Sequence, residues 1–418
     1  MLRRDGRASR HFAVIAPPTL GHLNPLQVLG GELVALGHRV TFVHAGEVGL
    51  YVTDPRMGFS RLRGPAGEGF SLARHLATLA APTGPAGMTR MIRASADLTA
   101  MLLDEAPAVL ERIGADAVIA DAAEAAGPLI AAKLRIPHVV SVTGLPLLHD
   151  AAVPPPFVGW RYRTDPLGLN RNWGGYTVSD LLLRPIVRVV EARQRAWGIA
   201  MPDPQASRYV AQCPRGLDYP RAALPPGFVY GGPWRADTGE EVVLPDDDRP
   251  LIFCSLGTLQ GSRRALFATI ASACAAVGAR AVIAHGGGLS ADEEAGLPGD
   301  PLVRAFWPQR AVLRRCAAAV LHGGFNTVLD ALGEGVPMVV LPIAFEQPGT
   351  AARLAHHGAA RVLSSRWASV GGVAAALREV MTGPQYRAAA RRLSAEIAAA
   401  GGAAAAAATI TEALTVRG

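Results

Sequence analysis

Lysine is nearly missing from this sequence: Lys133 is the only one within Lys+Arg 41, and the arginines fall singly or in pairs such as Arg3-Arg4, Arg314-Arg315 and Arg391-Arg392. No basic block interleaved with aromatics occurs, so the formal charge of +7 does not point to nucleic acid. Cysteine is scarce as well. Cys213, Cys254, Cys274 and Cys316 form no C-x-x-C pair and three of them sit in apolar runs, which argues against a zinc site and a disulfide framework. No run of about 18 apolar residues is present, so no membrane-spanning helix is expected. The basic stretch 1–7 is followed by apolar sequence that breaks at Pro17-Pro18, unlike a secretory signal. The expected location is the cytoplasm or the inner membrane face, and the mildly basic surface fits phosphorylated small molecules, an anionic membrane or simply an arginine-rich composition equally well.

Other nucleotide-fold fingerprints are also missing. Neither G-x-G-x-x-G after a strand nor G-x-x-x-x-G-K-[ST] occurs, which argues against a nicotinamide enzyme and an ATPase. His285-Gly286-Gly287-Gly288 resembles an esterase oxyanion loop but has no G-x-S-x-G elbow beside it, so a flexible turn is expected. Asp246-Asp247-Asp248 has D-x-D spacing in a linker-like stretch and reads as a solvated turn.

What is present is core material. Half of the 418 residues are hydrophobic and 18% are charged, enough apolar surface to offset chain entropy in two or three domains. Short apolar runs alternate with helical-period segments, the pattern of parallel sheets. In the first half, strands are expected over 11–16, 39–44, 117–120 and 138–141, with helices over 25–36 and 124–133. In the second half, strands over 251–255, 281–284, 302–306, 318–321 and 338–341 alternate with helices over 264–277, 311–316, 326–332 and 349–356. A last helix pair takes in the alanine run 403–408. The segment 151–176, with Trp160, Tyr162, Trp173 and Tyr176, shows neither period and reads as a long aromatic loop walling a binding site. The fold class is therefore α/β, with two doubly wound Rossmann-like lobes facing a cleft. Residues 1–222 form the first lobe, 223–249 a Pro/Gly/acid-rich linker, 250–393 the second lobe and 394–418 a C-terminal helix.

Ligands of open parallel sheets bind beyond the carboxyl ends of the strands. The polar residues expected there are His22, Asp121, the turn Ser255-Leu256-Gly257-Thr258, His322-Gly323-Gly324 and Glu346-Gln347. A glycine-rich turn opening a helix offers free N–H groups to a phosphate, and two such turns could grip a diphosphate, although Gly, Asn and Thr are also ordinary helix caps.

Phe306-Trp307-Pro308-Gln309, His322-Gly323-Gly324, Asn326-Thr327, Asp330, Gly335-Val336-Pro337 and Glu346-Gln347 together resemble the nucleotide-sugar signature of family-1 UDP-glycosyltransferases with the GT-B fold. Residues 17–22 resemble that family's first catalytic loop, and Ile119-Ala120-Asp121 its acceptor-side aspartate. Ser255 to Gly261 and Arg171-Asn172-Trp173-Gly174-Gly175-Tyr176 resemble the bacterial carotenoid (zeaxanthin-type) glucosyltransferases.

The resemblance implies roles. His22 would be the general base for an acceptor hydroxyl, and Asp121 would hold its ring. His322, Asn326 and Thr327, with Gly257, Thr258 and Gly324 beside them, would bind the diphosphate. Gln309 and Asp330 would hold the ribose, and Glu346 and Gln347 would read sugar hydroxyls. Phe306 stands where the family has the tryptophan that stacks on the base, with Trp307 next to it, so either ring could serve. Asp330 and Glu346 replace the commoner acid with its one-methylene neighbour. The implied reaction is inverting and metal-independent, without a cofactor, moving glucose from UDP-glucose to a lipophilic hydroxylated acceptor. That acceptor is a carotenoid first, then a polyketide, macrolide or sterol-like aglycone. The rival readings are a nucleotide-sugar epimerase, a non-catalytic pigment or lipid binder of the same fold, and an α/β-hydrolase.

Overall fold

Apolar, β-branched runs with no polar face make strands that are buried on both sides, and such strands pair in parallel. The computed structural model describes residues 9–63, 70–82, 84–236, 239, 241–245 and 248–415. Residues 1–7, Asp246 and Asp247 therefore lie outside the described residues. The first lobe runs β1 (His11–Ile15), α1 (Leu20–Ala35), β2 (Arg39–Ala45), β3 (Gly58–Leu62), α2 (Leu72–Ala80), α3 (Gly84–Ile113), β4 (Ala117–Asp121), α4 (Ala126–Leu134), β5 (His138–Val142), α5 (Pro166–Trp197), β6 (Arg208–Ala211) and β7 (Phe228–Tyr230). The second runs β8 (Leu251–Ser255), α6 (Arg264–Ala276), β9 (Arg280–Ala284), α7 (Ala291–Ala295), β10 (Leu302–Arg304), α8 (Gln309–Leu313), β11 (Cys316–Leu321), α9 (Phe325–Gly333), β12 (Met338–Val340), α10 (Gln347–His356), β13 (Ala360–Val362), α11 (Val370–Thr382), α12 (Pro384–Ala399) and α13 (Gly402–Thr415).

The sheet orders are β3-β2-β1-β4-β5-β6-β7 and β10-β9-β8-β11-β12-β13, with every pairing parallel. In each, the chain order reverses at one place, between β1 and β4 and between β8 and β11. These switch points open the crevices in which α/β sheets bind ligands. Expected residues follow all four strands: His22 after β1, Asp121 at the end of β4, Gly257 and Thr258 after β8, and His322 after β11.

Several expected boundaries shift for physical reasons. Proline suits the first helical position, which favours a helix starting at Pro25, but α1 starts at Leu20 and carries Pro25 inside it. His22 therefore sits on the first turn of a helix. Segment 151–176 is not one long loop. Asp165 caps α5 by accepting the Gly168 N–H at 2.8 Å, and Pro166 occupies the first turn, so Trp173 and Tyr176 are helical. Gly174-Gly175 reads as a breaker, yet an ideal Cβ on Gly175 would come within 2.7 Å of the Trp160 ring, so there glycine serves close packing. Strand 302–306 stops at Arg304, and Cys316, expected in a helix, begins β11.

The lobes are not independent. Val140, Val142, Tyr209 and Ala211 of the first sheet share one core with Phe253 and Leu321 of the second and with Leu313 of α8. Helix α12 runs through the expected boundary at 394, and α13 then crosses back to bury Ala406, Ala407 and Ile410 against Phe12, Leu26 and Leu33 of the first lobe. Together α12 and α13 are apolar enough to resemble a bent membrane span, but the inward face of α13 is a core face.

Candidate active site

Asp121 ends β4 fully covered, while His22 on the adjacent α1 keeps 27% of its side chain exposed, so one partner is reachable and the other is not. His22 Nδ1 lies 3.1 Å from Asp121 Oδ1 and 2.7 Å from Thr143 Oγ1. The Thr143 hydroxyl donates to Asp121 Oδ2 at 2.7 Å, so its oxygen is left to accept from the ring. Both contacts therefore place the proton on Nδ1 and leave Nε2 with its lone pair, the tautomer a general base needs. Burial pulls the His22 pKa down, but the Asp121 carboxylate, by charge and hydrogen bond, and Glu346, by charge, outweigh it and hold the ring above its ordinary 6.5. Burial raises the Glu346 carboxyl, with Asp121 adding to the effect.

Glu346 belongs to the second lobe, so its coupling to His22 spans the cleft. Phe345 before it adopts a left-handed φ of 54°, a backbone position that a bulky residue holds only when its surroundings impose it. Helix α10 behind them is anchored by Arg353, whose Nε donates to Asp218 Oδ1 at 2.8 Å with both side chains buried. Gln347 is partly spent on its own loop: its Oε1 accepts the Ile343 and Ala344 N–H groups, both at 2.9 Å.

His322 sits in a slot between two glycines. A Cβ on Gly257 would lie 2.7 Å from its Nε2, and one on Gly324 would lie 2.3 Å from the same atom. Its Nδ1 meets the Ser255 carbonyl at 3.3 Å, and burial lowers the ring to about 4, so it is neutral near pH 7. Gly324 is the N-cap of α9, which places Asn326 and Thr327 in the first turn among the unpaired N–H groups.

Asn326 bridges the lobes, with Nδ2 donating to the Gly21 carbonyl at 2.8 Å. The bond exists because of Pro25: in α1 the N–H of residue 25 would normally take the Gly21 carbonyl, and proline has none. Gln212 Nε2 donates to Asn326 Oδ1 at 2.9 Å and also to the Thr143 carbonyl. Asp330 accepts from Gln309 Nε2 at 2.5 Å and from Arg235 Nε at 2.8 Å, and Arg235 keeps a buried Nη2 without a partner beside them. Trp307 is pinned, with Nε1 donating to the Ile283 carbonyl at 3.0 Å and the Arg304 guanidinium 4.0 Å above its ring. Phe306 is 64% exposed. His285, read as part of a flexible turn, is buried and accepts the Leu289 N–H on Nδ1 at 3.0 Å.

Sequence reasoning missed Thr143, Gln212 and Arg235. The strand-end rule, applied to β5 and β6, points to the first two; Arg235 lies in the linker, where no pattern marks it.

Two Rossmann-type lobes meeting over a His–Asp pair and a glycine-bounded helix N-terminus define a class, the GT-B glycosyltransferases. The chain's relatives narrow the class to a family. The profile of the "UDP-glucoronosyl and UDP-glucosyl transferase" family matches residues 216–397. The zeaxanthin glucosyltransferase of Pantoea ananas is 34% identical over 392 residues, 90% of either chain. That of Pseudescherichia vulneris is 33% identical over 366 residues, 85% of this chain and 86% of its own. Among solved structures, the glycosyltransferase of kitacinnamycin superposes with a TM-score of 0.77 over 97% of this chain and all of its own, at 23% identity. The calicheamicin glycosyltransferase gives 0.73 over 98% and 99%, at 21% identity. The chain belongs to the family-1 UDP-glycosyltransferases, enzymes that move a sugar from a nucleotide donor to a hydroxylated acceptor.

Proposed function

We propose that the protein transfers glucose from UDP-glucose to a hydroxyl of a lipophilic acceptor, a carotenoid such as zeaxanthin, with inversion to a β-glucoside and without a metal ion. The observation that carries the mechanism is the His22–Asp121–Thr143 arrangement facing Glu346 across the cleft. His22 Nε2 takes the acceptor's hydroxyl proton as that oxygen attacks the anomeric carbon, and the carbon–oxygen bond to the diphosphate breaks in the same displacement. Asp121 and Thr143 stabilise the imidazolium that results. The departing charge falls on the α9 N-terminus and Thr327, preorganised donors that supply what a cation supplies elsewhere, and on His322 once its Nε2, a lone pair while Nδ1–H donates to the Ser255 carbonyl, has taken up a proton beside the diphosphate. On this reading Glu346 and the Gln347 amide nitrogen meet sugar hydroxyls, and Gln309 with Asp330 the ribose. The names of the Pantoea and Pseudescherichia relatives support glucose and a carotenoid. The segment 143–165, which leads from Thr143 through Phe157 and Trp160 to α5, supplies an apolar acceptor wall. The reading places the enzyme in the cytoplasm. A nucleotide-sugar epimerase has no use for a base facing an acceptor lobe.

The test is a mass-spectrometric transfer assay with UDP-glucose and a panel holding zeaxanthin, a flavonol, a macrolide and a sterol, repeated with chelator. Hexose gain on zeaxanthin at an unchanged rate in chelator is the expected outcome. Transfer only to another acceptor sinks the carotenoid assignment, and a chelator-sensitive rate sinks metal independence.

The pinned Trp307 leaves Phe306 as the ring for the base. Base–aromatic stacking is worth about 1–3 kcal/mol, so Phe306→Ala is expected to raise the donor KM by about 5- to 100-fold with little change in kcat. Phe306→Trp should restore it. An unaltered donor KM in the alanine variant would assign the stacking to another ring.

A further inference from the structure

Helix α5 is 32 residues long, and one side of it packs on α3 and on segment 143–165, through Tyr176 against His149 and Gly175 against Trp160. Its other side is open. Seven of the sixteen large hydrophobic side chains exposed among the described residues lie on this one helix. Leu167 (73% exposed), Val178 (57%), Leu181 (73%) and Leu182 fall at i, i+11, i+14 and i+15, with Gly174 and Pro185 between and after them, so they form one stripe. At about 1.5 Å per residue, the stripe from Leu167 to Leu182 is about 22 Å long. No helix among the described residues is long and apolar enough to cross a membrane.

Charge tells what the stripe meets. Residues 161–197 carry seven arginines and three carboxylates, a net +4 of the chain's +7. All three carboxylates are engaged: Asp165 with Arg163 at 2.8 Å, Asp180 with His149 at 3.2 Å and Glu191 with Arg184 at 4.0 Å. Arg161, Arg188 and Arg195 stand exposed beside them. The excess charge that looks scattered along the sequence is thus concentrated around an apolar stripe. A symmetric pair of copies joined through this face would press two +4 segments together, whereas an anionic surface complements both the stripe and its rim.

We propose that the outward face of α5 is a membrane-docking surface that lies in the headgroup plane of an anionic leaflet, with Leu167, Val178, Leu181 and Leu182 entering the acyl boundary and arginines around them meeting lipid phosphates. The surface is continuous with segment 143–165, which starts at Thr143 beside His22, so docking turns that side of the acceptor lobe toward the lipid.

The experiment is sedimentation of the full-length protein with phosphatidylcholine vesicles, with and without about a third phosphatidylglycerol, and without either substrate, so that it stands apart from the acceptor assignment. Binding is expected only to the anionic vesicles, weakening as salt screens the rim. The exposed pair Val178→Glu/Leu181→Glu should lose at least about tenfold in partitioning, and Arg188→Glu about fivefold or more, with thermal melting unchanged. Val243→Glu, at a still more exposed position (91%) in the linker, should bind as the parent protein does. Equal binding to both vesicle types, or full binding by the double variant, overturns the proposal. So does a concentration-dependent dimer, seen by light scattering without lipid, that the double variant abolishes, since the face would then belong to a second copy.

Discussion

Replacing His22 with alanine lowers sugar transfer by about 10²- to 10⁴-fold, the usual contribution of a positioned general base, while donor binding measured by calorimetry stays near that of the parent protein. The separation is expected because His22 stands on the first-lobe side of the cleft and the proposed phosphate site lies at α9 and the turn after β8, in the second lobe. A parent-like rate in His22→Ala would falsify the assigned base. The pH profile gives a second reading. The base works when neutral, so with its pKa held above 6.5 the rate is full at pH above that value and falls as the ring protonates below it. Asp121→Asn removes the charge that raises the pKa and leaves the burial that lowers it, so the acid limb moves to lower pH. The amide can also present an N–H to Nδ1, which favours the tautomer with the proton on Nε2 and cuts the rate at every pH. A change confined to stability, with the acid limb in place, would reduce Asp121 to a structural residue.

The residues legible in the sequence were those that follow long, wholly apolar strands. The runs 11–16, 117–120, 251–255 and 318–321 are unambiguous, and these are the strands that flank the two switch points, so the strand-end positions of His22, Asp121, Gly257, Thr258 and His322 are legible without coordinates. Thr143 and Gln212 obey the same rule but follow β5 and the four-residue β6, the latter too short for its period to stand out. Arg235 reaches Asp330 from the linker, a contact only tertiary structure creates. Helix α3 received no sequence expectation although Pro85 stands in its first turn, and α5 contains Gly174, Gly175 and Pro185, which read as breakers. What holds them is packing: Leu102, Leu103 and Ala106 are wholly buried on α3, and Trp160 lies against the face of α5 that Gly175 leaves bare.

Gly324→Ala has the second largest expected effect, and it isolates the donor site. Gly324 has φ −60° and ψ 127°, values alanine adopts freely, so the substitution carries no backbone strain, unlike one at Gly257 (φ 73°) or Gly323 (φ 89°). The conflict is steric. The new Cβ would stand 2.3 Å from His322 Nε2 and 2.5 Å from Cε1. A lone imidazole would swing aside, but Gly257 backs this ring on its other side and the Ser255 carbonyl ties its Nδ1, so escape means leaving the slot. With a proton taken up on Nε2 beside the diphosphate, the imidazole donates a hydrogen bond to a charged group, worth about 1.5–3 kcal/mol, so its loss weakens donor binding by about 10- to 100-fold. Acceptor binding and the His22 acid limb should stay in place, because the first-lobe side of the cleft is untouched. Calorimetry with UDP and with UDP-glucose separates the cases: a parallel loss for both ligands places His322 on the diphosphate. A loss for UDP-glucose alone places it on the sugar, and unchanged affinity for both removes it from the donor site.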